Sequence, residues 1–524
     1  MKQDKLAVIG AGEAAIPVIN KAKSLNIETI VFGQKGSLAE DLADIFIEND
    51  IFDKEGICKA CRDNEVNGVI ASSEISTEVA AEIACELGLP GNDVSRGFAG
   101  RNKYLMRCRI QKLKSVRQPR FELYKDNKVY NLPVVVKAID SCGKQGVSLV
   151  KSSSEFKEAV QYAQRFSSDG SALIEEYLEG GQEYSIECMA FEGTCYVIQY
   201  TQKDSTGAPH FVEVGHHQPA LLSEDIKRKI NQAAQDILSE LGITCGMAHL
   251  ELKIINQELF FIEVGARAGG GHIGDTLIGL STDFDYYKAA ILCSLGKFKP
   301  SKINTKASAG IYFYCKQTEN LSPLFEKAKS ANWCYINQIH EQKLVDVTCS
   351  TERSKSSFII YNADHKITKD NYLNDIEIKA IEINNFANAY ELIWNHCKEI
   401  GRDLTDEELD LGIKKFLAKA HVLAIVRNNH ILAFSILYCN NYDTLQAYIC
   451  NVFVLQEYRG LGYSSKLISK AIEICKAKNF KTIALHVKED NMPAVNLYKK
   501  FGFVYTGNHK NEVGNEQSEM RFTF

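Results

Sequence analysis

Residues 248–264 read AHLELKIINQELFFIEV, two runs of strand-forming residues on either side of Asn256, Gln257 and Glu258. The pattern predicts an antiparallel hairpin that turns at Asn256–Glu258. Paired about Gln257, its strands set Glu251 directly opposite Glu263 on one face. Like charges in that position destabilise a sheet by ~0.2–1 kcal/mol even when exposed. Two facing carboxylates make most sense with a divalent cation between them. Oxygen ligands suit Mg²⁺ (or Mn²⁺), which is usually held by one or two carboxylates together with substrate phosphates. A register slip in the hairpin would separate the two glutamates, and that reading stays open at this stage.

The surrounding sequence adds cations and bare backbone. Directly after the hairpin comes GARAGGGH (265–272), whose Arg267 is suited to a carboxylate or an acyl phosphate. Upstream, PVVVK (133–137) is a buried-strand pattern that ends in Lys137. It is followed by SCGKQGV (141–147), with Ser141, Gly143 and Gly146, and then by a returning strand, Ser148–Val150. A strand, a small glycine loop and a second strand can lay N–H groups over phosphate oxygens, with Lys137 as a point charge. Alone, an ordinary hairpin with an edge lysine accounts for it better, and no Walker loop occurs in the chain. Between these stretches, Leu173–Leu178 reads as a short strand edge leading through Glu183 into another strand.

The N-terminal 94 residues alternate short β-branched runs with helical stretches, the rhythm of a parallel sheet. The turn GAGEAA (10–15) invites a dinucleotide reading. That reading wants an acidic residue closing the second strand, where the chain has Phe32, Gly33 and Gln34, so a fold-level turn is preferred.

Taken in order, these stretches resemble the ATP-grasp superfamily, especially its carboxylate–amine ligase branch. The matching segments are VIGAG (8–12), NKYLMR (102–107), Val136-Lys137 with its glycine loop, EEYL (175–178), HLE (249–251) and EVGAR (263–267). The resemblance implies Lys103 and Lys137 on ATP phosphates, Glu175, Glu176, Tyr177 and Leu178 along the adenine edge, and Glu183 on the ribose. It makes Glu251 and Glu263 the metal ligands and Arg267 the stabiliser of an acyl phosphate. Many members carry a metal-binding Asn two residues after the second glutamate, where this chain has Gly265.

Near the C-terminus a strand, 445–454, leads into QEYRGLGYS (456–464) and then a helix with Leu467, Ile468, Ala471, Ile474 and Cys475 on its apolar positions. A glycine turn feeding a helix N-terminus is an anion site, because free N–H groups and the helix dipole face the ligand, and Arg459 adds a charge. Further on stands NMPAVNLYKKFGF (491–503). Together these segments resemble the GNAT acetyltransferase family over about 376–524. The resemblance places the pyrophosphate of acetyl-CoA on the backbone of Arg459, Gly460, Gly462 and Ser464. It places the pantetheine beside the strand ending at Val454, Asn491 near the cofactor, and Tyr498 as the acid that protonates the departing thiolate. Ser464 stands where the family more often has Gly or Ala. A core aromatic with its hydroxyl at the rim is the competing reading of Tyr498, and no general base is legible.

At 524 residues the chain needs several cores. We expect an α/β multidomain protein: a Rossmann-like pre-ATP-grasp sheet (1–94), ATP-grasp α+β subdomains (95–300), an α+β appendage (301–375) and a GNAT domain (376–524), with His365–Asp375 as linker. With 45% hydrophobic and 24% charged residues and a net charge of −5, nothing favours nucleic acid or an anionic membrane as partner. No apolar run approaches the ~20 residues of a bilayer span. Sixteen scattered cysteines, including the lone C-x-x-C of Cys58 and Cys61, read as reduced thiols of a cytoplasmic protein. The expected function is bifunctional. One half ligates a small carboxylic acid to an amine with ATP and Mg²⁺, and the other acylates an amine from acetyl-CoA. A bicarbonate-using carboxylase, or one half degenerate and regulatory, are the alternatives, and a homo-oligomer is left open.

Overall fold

A computed structural model describes residues 3–340, 344–368, 380–384, 389–399, 405–427, 430–455, 459, 462–510 and 516–524. The chain divides into two compact units, Met1–Leu373 and Asn374–Phe524. Most of the expected linker, residues 369–375, lies outside the described residues.

The first unit opens with a parallel sheet in the order Ile45–Glu48, Glu28–Gly33, Lys5–Ile9, Gly68–Ala71. Its inner strands are largely apolar because both faces are covered. Leu6, Val8 and Val31 pack with Val18 and Ile19 on one side, and Ala7, Ile9, Ile30 and Phe32 pack with Ile57, Cys61 and Ile83 on the other. Cys58 and Cys61 are buried in that second core as free thiols on the helix Lys54–Asp63. At Gly33 an added Cβ would come within 2.6 Å of the Ala11 Cβ, so the glycine turn packs directly on the end of the second strand.

Two antiparallel sheets follow. The smaller runs Phe121–Leu123, Ala172–Glu176, Val134–Ala138, Ser148–Val150 and is backed by the helix Ser153–Phe166. Ala172–Glu176 is therefore an inner strand, not the edge expected, because both of its sides are paired. The larger sheet has eight strands among the described residues, ordered Glu258–Gly265, Gly246–Ile255, Gln182–Phe191, Thr194–Ser205, Glu213–Gln218, Ser308–Tyr314, Ser357–Ala363, Cys334–Gln338. The helix Glu224–Glu240 covers one face with Ile230, Ala234 and Ile237. The segment 301–375 is not set apart as an appendage, because Ser308–Tyr314 pairs with Glu213–Gln218 and carries the same sheet onward.

The second unit is a seven-stranded sheet among the described residues, antiparallel except where Gln446–Val454 meets Thr482–Val487. That parallel pairing runs from Gln446↔Thr482 to Ile449↔Leu485, and the first strand then continues to Val454 paired only with His430–Tyr438 on its other side. The helix Tyr463–Ala477 buries Leu467, Ile468, Ala471 and Cys475 against the sheet.

Candidate functional site

The hairpin brings Glu251 opposite Glu263, by a route different from the one expected. Asn256 and Gln257 alone form the turn, both with positive φ (49° and 64°), so Ile255 pairs with Glu258 and Leu252 with Phe261. Two such residues match the twist of the strands they join. A bulge between Leu252 and Glu251 then takes up Ile262 as an extra residue and restores the glutamate pair.

Around this pair stands a cluster of buried charge. Glu251 accepts from Lys203 at close range and lies 3.6 Å from Lys144. Glu213 lies 3.2 Å from Lys144, 3.5 Å from Lys203 and 3.4 Å from Arg353. Burial alone would raise the carboxyl of Glu251, but Lys144 and Lys203 outweigh it and hold that carboxyl well below its ordinary range. Behind it, His249 bonds Glu251 through Nε2 (3.2 Å) and Glu187 through Nδ1 (2.8 Å), and the Ser185 hydroxyl donates to Glu187 (2.9 Å). Glu263 pairs with Lys103 at 3.3 Å. Lys103 opens the helix Lys103–Ile110, capped by Asn102, and also donates to the Ser141 carbonyl.

Lys137, next to last in the strand Val134–Ala138, lies 2.7 Å from Glu175, and Arg107 donates to the same carboxylate at 2.7 Å. The Arg107 guanidinium also donates to the Phe261 carbonyl and lies 5.0 Å over that ring. Burial opposes ionisation of Glu175, yet Arg107 and Lys137 bring its pKa down to about 2. The Glu175 side chain, placed on the adenine edge by resemblance, is thus engaged beneath Lys137.

Of these groups, Lys103, Lys137, Lys144, Glu175 and Glu263 line one end of a cleft of about 730 Å³, with Ser141, Gly143 and Glu183. Its other end is apolar, formed by Val135, Val147, Tyr177, Leu178, Phe211 and Ile262. Lys253 donates to the Leu178 carbonyl at 2.7 Å and fixes that wall. Glu176 also lines the cleft while its carboxylate pairs with Arg120 at 3.2 Å. Gly146 has φ 70° in the returning arm of the glycine loop, where an added Cβ would meet Ala138 at 2.9 Å.

Arg267 points into the parallel-sheet region, donating to Glu74 from Nε (3.0 Å) and Nη2 (2.6 Å). Its side chain lies over Gly265, where a Cβ would stand 3.4–3.6 Å from Arg267 atoms, so a longer side chain at 265 would displace it. The donor set at the hairpin fits a hard divalent cation: two carboxylates facing each other, with phosphate oxygens and water to complete the shell. Among the described residues no group of three or more His, Cys, Asp or Glu is arranged for a metal.

Sequence reading missed Lys203, Glu213, Arg107 and Glu74, and took Lys144 only as part of a backbone loop. One signal was present. Thr201 and Lys203 are buried on alternate positions of one strand, which puts a lysine in phase with an inward face.

In the second unit Arg459 donates from Nε to the Val454 carbonyl at 3.2 Å. Gly462, with φ 76°, precedes the helix Tyr463–Ala477, and Ser464 lies in its first turn. Gly460 lies outside the described residues. Asn491 caps the helix Met492–Lys500, its Oδ1 accepting from the Ala494 N–H at 3.4 Å. Tyr498 is 7% exposed, and burial pushes its hydroxyl up to about 12.

Residues 130–275 match the model of the ATP-grasp domain, and residues 386–503 match that of the acetyltransferase (GNAT) family. The chain joins an ATP-grasp domain to a GNAT domain. The ATP-grasp part is 25% identical over 244 residues to the alanine–anticapsin ligase of Bacillus subtilis, covering 41% of this chain and 51% of that one. The GNAT part is 37% identical over 93 residues to a candidate ribosomal-protein-bS18-alanine N-acetyltransferase of Bacillus subtilis (strain 168), covering 18% of this chain and 59% of that one. The chain thus spans little more than half the length of either curated relative. The crystal structure of an L-amino acid ligase from Bacillus licheniformis matches with a TM-score of 0.56 at 22% identity, covering 69% of this chain and 94% of that one. At that identity the likeness is one of fold. Among the described residues no helix is long and apolar enough to cross a membrane.

Proposed function

We propose that the ATP-grasp unit joins a small carboxylic acid to an amine with ATP, and that the GNAT unit acetylates an amine from acetyl-CoA. The observation that carries the first half is the opposition of Glu251 to Glu263, which lines one cleft together with Lys103, Lys137 and Lys144. Lys103, Lys137 and the 141–147 backbone hold the phosphates, the apolar end takes the adenine, and Glu183 takes the ribose. Glu251 and Glu263 would hold Mg²⁺, which neutralises charge on the phosphoryl oxygens. The substrate carboxylate attacks the γ-phosphorus and ADP leaves. Arg267 turns from Glu74 to the acyl phosphate, and the amine displaces phosphate at the acyl carbon with loss of a proton. Closure of the glycine loop keeps water from the acyl phosphate. We assign amino acids as acid and amine on the likeness to the alanine–anticapsin ligase.

In the GNAT unit the N–H groups that open the helix Tyr463–Ala477 receive the pyrophosphate, and the edge of the stretch before Val454 that Thr482–Val487 leaves open lies along the pantetheine. The amine attacks the thioester carbonyl and Tyr498 protonates the thiolate. A hydroxyl that keeps its proton to about 12 is suited to that donation.

Phosphate release across a panel of amino acids tests the ligase half, and it should require both an acid and an amine. Release supported by bicarbonate without an amine would turn the reading to a carboxylase.

A further inference from the structure

Lys144 is a cation that stands on the glycine loop and lines the cleft. Its backbone lies in the left-handed region (φ 62°), at the tip of the 141–147 loop. From there its ammonium reaches inward to Glu213 at 3.2 Å and Glu251 at 3.6 Å, with its side chain only 14% exposed. The loop is tied down beside it, because the Ser350 N–H donates to the Gly143 carbonyl at 3.0 Å and the Ser141 hydroxyl to the Gln145 carbonyl at 2.6 Å.

The charges around Glu251 are already in balance or better. Three carboxylates, Glu213, Glu251 and Glu263, face the ammonium groups of Lys103, Lys144 and Lys203 and the guanidinium of Arg353. A divalent cation bound at Glu251 ahead of nucleotide, with Lys144, Lys203 and Arg353 in place, would leave a buried excess of positive charge at separations of a few Å, where repulsion is poorly screened. One cation must then withdraw. Lys203 is fixed in the strand Thr194–Ser205, and Arg353 is buried in the helix Ser350–Arg353, stacked over Phe313 at 4.8 Å. Lys144 alone of the three rides on a loop and can leave by a loop movement.

We propose that Lys144 is a tethered cation that competes with the divalent metal for Glu251, so that metal entry unlatches the glycine loop. The proposal rests on the reading of Glu251 and Glu263 as the metal pair. It gives the loop a device beyond its N–H groups: the loop is pinned by charge until a metal replaces the pin, and is then free to close over nucleotide.

Full-length protein and its Lys144→Gln and Lys144→Arg variants test this with Mn²⁺ as probe. Free Mn²⁺ is followed by electron paramagnetic resonance, with and without ADP, and amide exchange over 141–147 by mass spectrometry. Lys144→Gln should bind Mn²⁺ about tenfold more tightly, a coupling of the usual size between linked sites. Its loop should exchange faster without metal, and saturating Mn²⁺ should bring the wild-type loop to the same rate. Lys144→Arg should behave like wild type. Equal or weaker Mn²⁺ binding by Lys144→Gln, beside clear binding by wild type, overturns the proposal and leaves the metal pair standing. No Mn²⁺ uptake by any of the proteins removes the metal pair itself, and the proposal with it.

Discussion

The anion sites proposed for the two units are built from opposite materials. In the ATP-grasp unit, side chains from Glu74 to Arg353 converge, and nearly every charge has a partner: Lys137 with Glu175, Lys103 with Glu263, Lys144 and Lys203 with Glu213 and Glu251. In the GNAT unit the proposed site lies on a single turn and the start of one helix, and apart from Arg459 the groups offered there are main-chain N–H donors. Full charges in a buried cleft need counter-charges to be tolerated, whereas the partial charges of a helix start need none. The first site should therefore fail when one side chain is lost, and the second when the backbone is bent.

The largest effect expected from that contrast is at Lys137. Lys137→Ala should lower ATP-dependent phosphate release by roughly a hundredfold, the scale of losing one preorganised charge at a reacting centre. Thiol release from acetyl-CoA should stay at the wild-type rate, and parallel loss of both would point to misfolding and erase the contrast. Tyr498→Phe comes next. Thiol release should drop by roughly tenfold to a hundredfold with acetyl-CoA affinity kept, as for a group used in the transition state. Unchanged turnover would return Tyr498 to the core.

At Gly462 the backbone itself is on trial. Gly462→Ala forces a side chain into φ 76° and should weaken acetyl-CoA binding by roughly 1 kcal/mol by calorimetry, without touching the ligase. Asn491→Ala removes a helix cap and should cost the GNAT unit about 1 kcal/mol, read as a lower melting temperature of that unit alone. The smallest signal is a pH dependence. With its folded pKa near 2 against an ordinary 4.5, Glu175 contributes stability that is present above about pH 4.5 and lost as pH falls toward 2. The stability gap between wild type and Glu175→Gln should narrow over that window, and a gap independent of pH would contradict the buried triad.

The same contrast decides what could be read from sequence. The GNAT features lie on contiguous motifs, so Gly462, Asn491 and Tyr498 announce themselves by spacing. The α/β multidomain character was legible for a related reason, since strand and helix periods are local. In the ATP-grasp unit the opposition of Glu251 and Glu263 was legible because a hairpin is local, although its two-residue turn and the bulge at Ile262 were not. Lys203 and Glu213 were invisible because their meeting with Glu251 depends on pairings that link Thr194–Ser205 to both Gln182–Phe191 and Glu213–Gln218. Glu74 lies still further off, 193 positions from Arg267.

The continuation of the large sheet through Ser308–Tyr314 and Ser357–Ala363 has a practical consequence. A ligase fragment ended near residue 300 would strip the neighbour from Glu213–Gln218, a strand in which every residue is buried. Its unpaired N–H and C=O groups would then form a flat, exposed edge, the surface on which chains stack and precipitate. A fragment for crystallisation or evolution should therefore run past Ala363, where the sheet closes on its own last strands.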